Sequence, residues 1–327
     1  MRSLLLFLGL IIPFCLNGQY VYNINDEADQ HIFVYEFIEF LEDPIDSMSF
    51  QRVSSGAYDE LFVPSKEFTP DNYNISSTYW YKIKIKHNSN SEKKWLLEFF
   101  DQTIDSIFAY LPDSNGFYSK LILGESKSFQ SRRIKHKNFV IPIENDHDEE
   151  LTYYFKVKAS HPVDIILVVR SFDFFSFYSL NEYFLFGLFY GLIILIALYN
   201  LLLFFSLREL PYLYFVLFAA GIMLYFSSMD GFAYQYVWPN FPDWNKYAYG
   251  VFAYSLVVFG ILFSKEFLHL KFKSKKADRL LNLVLFLRTL FFIYCLLFNH
   301  ILFDYFVIEI IPLIIILFIG VRLFIRG

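Results

Sequence analysis

Five basic residues, Arg132, Arg133, Lys135, His136 and Lys137, crowd six positions in a half of the chain that is otherwise acidic. Guanidinium and ammonium groups at this density suit a carboxylate or phosphate ligand, because charge-assisted hydrogen bonds are the strong ones. A solvated edge strand, kept from aggregating by its charges, accounts for the same cluster at least as well. His136 has no second histidine or cysteine at ligand spacing, so no metal site is expected. The other binding candidate is Trp80, within Tyr79-Trp80-Tyr81-Lys82-Ile83-Lys84-Ile85-Lys86. Period-two alternation puts it on the lysine-bearing face, where an exposed indole would stack on a sugar ring. The competing reading is an indole that caps the domain or rests on a loop. Catalysis has no candidates. There is no Gly-rich phosphate loop, no Gly-x-Ser-x-Gly elbow, no His-Glu-x-x-His and no Cys-x-x-Cys, so neither enzyme activity nor a cofactor is expected.

Two charged residues stand in strongly apolar surroundings. Arg288 lies about eight residues, or about 12 Å, from the basic end of its segment, and Glu309 about four residues, or about 6 Å, from the opposite end of the next. Across a hydrocarbon core of about 30 Å that leaves about 12 Å between them, which two long side chains can just close. Charges inside bilayers tend to face the bundle and to pair, so a polar contact that changes during signalling is expected. Snorkelling of each to its own surface is the alternative. Gly187 and Gly191 form a small-xxx-small pair, which reads first as packing inside one bundle and second as a homodimer contact.

These residues need two different scaffolds. The chain has 327 residues, 56% apolar and 22% aromatic, too greasy for one soluble domain of this size. Residues 19–170 carry 16 Lys/Arg against 24 Asp/Glu, and from Ser171 onward long Leu/Phe/Ile/Tyr runs take over. That shift marks a domain boundary, with a membrane domain behind it. An acidic outer domain argues against a nucleic-acid partner. Residues 1–18, with Arg2 and then the apolar run Leu4–Leu16, have the layout of a signal peptide. The two cysteines, Cys15 and Cys295, fall outside the exported domain, which is therefore expected to hold together without a disulfide.

Five segments reach the roughly 20 apolar residues that cross a bilayer, at about 184–205, 211–229, 247–268, 280–298 and 305–325. The loop between the third and fourth carries Lys271, Lys273, Lys275, Lys276 and Arg279, whereas the 230–246 loop carries Asp230 and Asp243. Basic loops stay cytoplasmic, so a multi-pass protein of a bacterial inner membrane is expected, with residues 19–170 periplasmic or extracellular. In that domain about eight short alternating runs, among them Trp95–Phe100, Phe139–Ile143 and Leu151–Val157, predict an all-β jelly-roll-like sandwich ahead of the α-helical transmembrane bundle. Asp113-Ser114-Asn115-Gly116 predicts a hairpin turn. Residues 171–183, rich in phenylalanine, read as an aromatic juxtamembrane linker at headgroup level.

Several stretches resemble bacterial seven-transmembrane receptors with diverse intracellular signalling modules. They are Tyr79-Trp80-Tyr81-Lys82, Ser131 through Phe139, Tyr153 through Val157, Gly187-Leu188-Phe189-Tyr190-Gly191, Tyr199-Asn200-Leu201, Asp230-Gly231 with Tyr236-Val237-Trp238-Pro239, and Phe263 through Leu268. The resemblance implies a periplasmic jelly-roll domain similar to carbohydrate-binding modules, seven helices, and a cytoplasmic output such as a histidine kinase or diguanylate cyclase. Only five helices are legible before Gly327, so the chain reads as a fragment of such a receptor. The function expected is sensing of an extracytoplasmic small molecule, a carbohydrate among the options, with the state passed through the bundle to a cytoplasmic signalling domain or protein. The alternatives are a membrane transporter or a membrane-anchored carbohydrate-binding module.

Overall fold

The computed structural model describes residues 20–304 and 307–326; the expected signal peptide lies outside the described residues. Among the described residues, short runs rich in β-branched and aromatic side chains form eleven strands, where about eight were expected. They are β1 (Val21–Asn23), β2 (Gln30–Phe33), β3 (Ile38–Asp43), β4 (Val63–Pro64), β5 (Thr78–Lys86), β6 (Trp95–Phe99), β7 (Ser106–Pro112), β8 (Tyr118–Leu123), β9 (Phe139–Ile143), β10 (Glu150–Lys158) and β11 (Leu167–Ser171). One sheet has the order β4-β3-β5-β10-β7-β8, with β1 parallel to the end of β5 that β3 leaves unpaired. The other has the order β2-β11-β6-β9. Neighbours are mostly distant in sequence, because the chain crosses from sheet to sheet at most connections.

Alternation decides which side chains meet between the sheets. Tyr81 stands opposite Phe155 and Ile83 opposite Tyr153, while Leu97 lies between Ile141 and Val169 in the facing sheet. All seven are buried in one core. Each such side chain contributes about 1.5–3 kcal/mol by leaving water, so a core of this kind can hold the domain without a disulfide. The expected hairpin turn joins β7 to β8. Gly116 has φ +79°, and the Asp113 carboxylate accepts the N–H groups of Asn115 at 3.0 Å and Phe117 at 2.8 Å.

Neither sheet leaves its outer face wholly to water, and this corrects the reading of Trp80. The short helix α1 (Phe50–Ser54) and the segment after it fold over the outside of the first sheet. Val53 and Phe62 there bury Leu41, Trp80 and Tyr154 in a second small core. Trp80 is 0% exposed, so no sugar ring can stack on it. Lys82 on the same face is also buried, paired with Glu39 at 2.9 Å. The period-two pattern had assigned the face correctly; a distant segment decided that the face would be covered.

The outer face of the second sheet is covered by the first long helix, α2 (Phe172–Leu207). At about 1.5 Å per residue its 36 residues reach about 54 Å, well beyond the roughly 30 Å apolar core of a bilayer. The excess packs on the sandwich. The aromatic stretch read as a linker is therefore helix from Phe172 onward, and the Ser171 hydroxyl, at the end of β11, accepts the Phe174 N–H at 3.3 Å. Behind α2 come α3 (Leu210–Met229), the short α4 (Phe232–Tyr236), α5 (Asn245–Phe267), the single turn α6 (Leu270–Lys273), α7 (Lys275–Leu297) and α8 (Val307–Arg326). Five of these segments are long and apolar enough to span a membrane, close to the five expected ranges.

The bundle approaches most closely at other glycines than those expected. A Cβ on Gly221 would lie 3.1 Å from the Leu256 backbone, which lets α3 and α5 pack tightly. At Gly187 and Gly191 an added Cβ meets nothing within 4 Å, so packing of this pair inside the bundle is not found among the described residues. The reason is rotational: α2 turns its Tyr190 side inward and both glycines outward.

Candidate functional site

The second sheet places Leu96 and Glu98 of β6, Asn138 just before β9, and Arg170 of β11 on the face that α2 covers. Glu98 is 0% exposed. One carboxylate oxygen accepts Asn138 Nδ2 at 2.7 Å and the Tyr178 hydroxyl of α2, and the other pairs with Arg170 Nη1. Burial pushes this carboxyl up from its ordinary value, while the Arg170 guanidinium, Tyr178 and Asn138 pull it back. Arg170 also lies 4.3 Å from the Tyr178 ring centroid. Strands β6 and β11, the residue ahead of β9 and helix α2 are thus tied at one ion pair. Sequence reading missed Glu98 and Arg170. The signal was present: one acid inside Trp95-Leu96-Leu97-Glu98-Phe99-Phe100 and one base closing Val168-Val169-Arg170, each on the outward register of its strand.

The basic cluster splits. Arg133 and Lys135 are exposed, while Arg132, His136 and Lys137 are buried against the helices. The solvated-edge reading therefore fails for those three. His136 accepts the Asn138 N–H on Nδ1 at 3.2 Å and turns Nε2 to the Ser179 hydroxyl at 3.4 Å. Burial, with Lys137, Arg132 and Arg170 nearby, lowers its pKa to about 3, so it is neutral and its 4.0 Å approach to Glu98 is no ion pair. Lys137 pairs with Glu182 of α2 at 3.1 Å. Arg132 lies between the rings of Phe129 and Phe139, at 4.5 and 4.4 Å, and donates through Nη1 to the carbonyls of His136 at 2.7 Å and Lys137 at 2.5 Å. Its Nε has no partner.

A second contact zone joins the loop after β8 to the loop between α3 and α5. Phe129 packs on Ala233, Tyr234, Trp238 and Ala248, and its N–H donates to the Pro239 carbonyl at 2.9 Å. Asn245 accepts from Trp238 Nε1 at 2.8 Å and donates to the Glu125 carbonyl at 3.2 Å. Gln102 reaches the Met229 carbonyl beside Gly231, whose φ is +73°. A Cβ on Gly231 would lie 2.9 Å from Gln102 Cγ. Gly231→Ala is therefore expected to cost about 1–2 kcal/mol, the penalty of left-handed backbone with a side chain. Thermal unfolding of the detergent-solubilised chain would read this as a lower Tm, with proteolysis accelerated at the joint.

Between these two zones lies a cavity of about 560 Å³. The sandwich contributes Gln102, Glu125, Arg132 and His161, and the bundle contributes Tyr225, Ala253 and Glu309. The volume falls within the roughly 300–1,000 Å³ typical of small-molecule sites. Burial, with Asp105 and Asp101 adding to it, pushes the Glu125 carboxyl well above its usual range. Glu309 is 8% exposed and accepts Arg288 Nη2 on Oε1, so the structure brings these two membrane charges together. Its Oε2 is left without a partner.

Residues 36–171 match the family model described as 7TMR-DISM extracellular 2, and residues 182–327 match that described as 7TM diverse intracellular signalling. No curated protein matches the chain.

Proposed function

Since the chain belongs to the family of 7TM receptors with diverse intracellular signalling modules, we propose that it senses an extracytoplasmic small molecule in the cavity between sandwich and bundle. One observation carries this reading: both domains wall the same cavity, so its occupant touches both. A ligand shifts a conformational equilibrium only through different affinities for the two arrangements. A site shared by two bodies meets that condition whenever they move against each other. The absence of any slack between β11 and α2 supports the next step, because a tilt of the sandwich is handed directly to the first spanning helix.

The Lys271–Arg279 turn lies at the end of the bundle remote from the sandwich, which supports a periplasmic sandwich and a cytoplasmic output in a bacterial inner membrane. The output would be a signalling domain or partner protein on that side. A carbohydrate ligand has lost its stacking residue with the burial of Trp80. The Arg288–Glu309 pair, whose carboxylate forms part of the cavity wall, is placed to register an occupant within the bundle.

Ala253 of α5 points into the cavity, and Ala253→Phe would fill part of it. Transcript profiles of the source organism, with the natural chain, with this variant and with the gene removed, test the proposal. The variant, inserted at normal levels, is expected to hold one profile across growth conditions that change it in the wild type. Normal regulation by the filled cavity would remove it from the signalling route.

A further inference from the structure

The charges of the cavity are complementary to a particular head group. Arg132 is 6% exposed, its guanidinium is met only by two carbonyls and aromatic faces, and Nε is unpartnered. Among the described residues it forms no ion pair with a carboxylate. Glu125, on the same loop seven positions earlier, forms none with a cation. Of the other charged residues lining the cavity, Lys137 is paired with Glu182 and Glu309 with Arg288, while Asp105 and Asp101 stand near Glu125 and add to the acidity of that side. The sandwich wall thus presents one guanidinium without a carboxylate partner and one carboxyl group without a cationic partner. Around them the wall is mostly apolar, with Tyr225, Phe226 and Ala253 on the bundle side.

We propose that this cavity binds a small zwitterion with an apolar body, its anionic group on Arg132, its ammonium on Glu125, and its body against the bundle. An uncharged ligand would leave the Arg132 guanidinium buried without a counterion, and a singly charged one would satisfy either that group or the acidic side of the cavity but not both. Burial, Asp105 and Asp101 hold the Glu125 carboxyl above its usual range, and an ammonium placed there offsets that acidic crowding. The same pair of charges occurs in free aromatic amino acids and in the phosphatidylethanolamine headgroup. The free molecule is the better fit, because its body would lie among the bundle residues without two acyl chains to place.

This inference rests on the cavity being the sensing site, and its test is separable from that one. The full chain in nanodiscs of phosphatidylcholine and phosphatidylglycerol is titrated with phenylalanine, phenylacetate and phenethylamine, three probes with one ring and different charges. Phenylalanine is expected to bind at least about tenfold more tightly than either single-charge probe, the ratio of one charge-assisted hydrogen bond. Glu125→Gln, isosteric and without a side-chain hydrogen-bond partner to lose, is expected to remove that advantage without weakening phenylacetate. Nanodiscs containing phosphatidylethanolamine separate the two sources. If that lipid alone raises Tm in the wild type but not in Glu125→Gln, and displaces phenylalanine, the zwitterion is the headgroup. Equal affinities for the three probes, or an unaltered phenylalanine affinity in Glu125→Gln, would overturn the assignment. The transcript test of Ala253→Phe would still stand or fall by itself.

Discussion

Replacing Glu98 by leucine is expected to destabilise the sandwich by about 3–5 kcal/mol, the cost of removing one partner from a buried ion pair. Glu98 is fully enclosed and holds Arg170, Asn138 and Tyr178 together. Without it, the Arg170 guanidinium stays beside Lys137 with no carboxylate to balance it, and the first turns of α2 lose their tie to β6. Leucine fills the volume, so the deficit is electrostatic and not a matter of packing. Glu98→Gln keeps acceptors for Asn138 and Tyr178 and is expected to lose less. Urea unfolding of the full chain in detergent, followed by tryptophan fluorescence, measures both. A loss below about 1 kcal/mol in the leucine variant would place the pair with exposed salt bridges and remove it as the joint of the molecule.

Lowering pH from 7 to 5 is expected to cost the sandwich up to about 6 kcal/mol, shared by three histidines. In the unfolded chain a histidine takes up a proton below about pH 6.5. In the folded chain burial lowers His31 and His87 to about 4 and His136 to about 3, so all three stay neutral there. The unfolded state then binds more protons throughout the interval between the two values. Stability is complete above pH 6.5 and is lost as pH falls through the window, at about 2 kcal/mol per histidine by pH 5. Glu98 and Glu125, raised by burial, take up protons in the folded state and offset part of the loss. A difference isolates the effect. His87→Phe, which keeps a ring beside His147 and Tyr153, is expected to shrink the pH 7 to 5 loss by about 2 kcal/mol, whatever its own stability. An unchanged loss would mean that His87 is protonated in the folded state.

Much of the molecule was legible in the chain itself, and for a definite reason. Strand and helix periods are local, so Tyr79, Tyr81, Ile83 and Ile85 announced their common face. The five apolar segments announced the spanning helices, because a bilayer demands length and composition whatever the neighbours do. The charge bias of the basic loop Lys271–Arg279, on which the proposed sidedness rests, is local in the same way. What covers a face is not local. Trp80 and Lys82 were assigned to the outer face correctly, and only the packing of Val53 and Phe62 over it decided that they are buried.

The candidate site was less legible for the same reason. Arg132 stood out by charge, but its cavity needs Tyr225, Ala253 and Glu309 from segments about 90 to 180 positions away, and no spacing rule of helices or strands reaches that far. Arg288 and Glu309 were marked by their setting, whereas their meeting depended on how α7 and α8 pack. Glu98 and Arg170 looked like ordinary outward residues until α2 lay over them. The sequence by itself determined the elements, their inward faces and which segments are apolar enough to span a membrane, because hydrophobic burial and lipid solvation act residue by residue. Only the tertiary structure decided which charges are paired and which stay unmatched, because desolvation depends on every element that closes over a group.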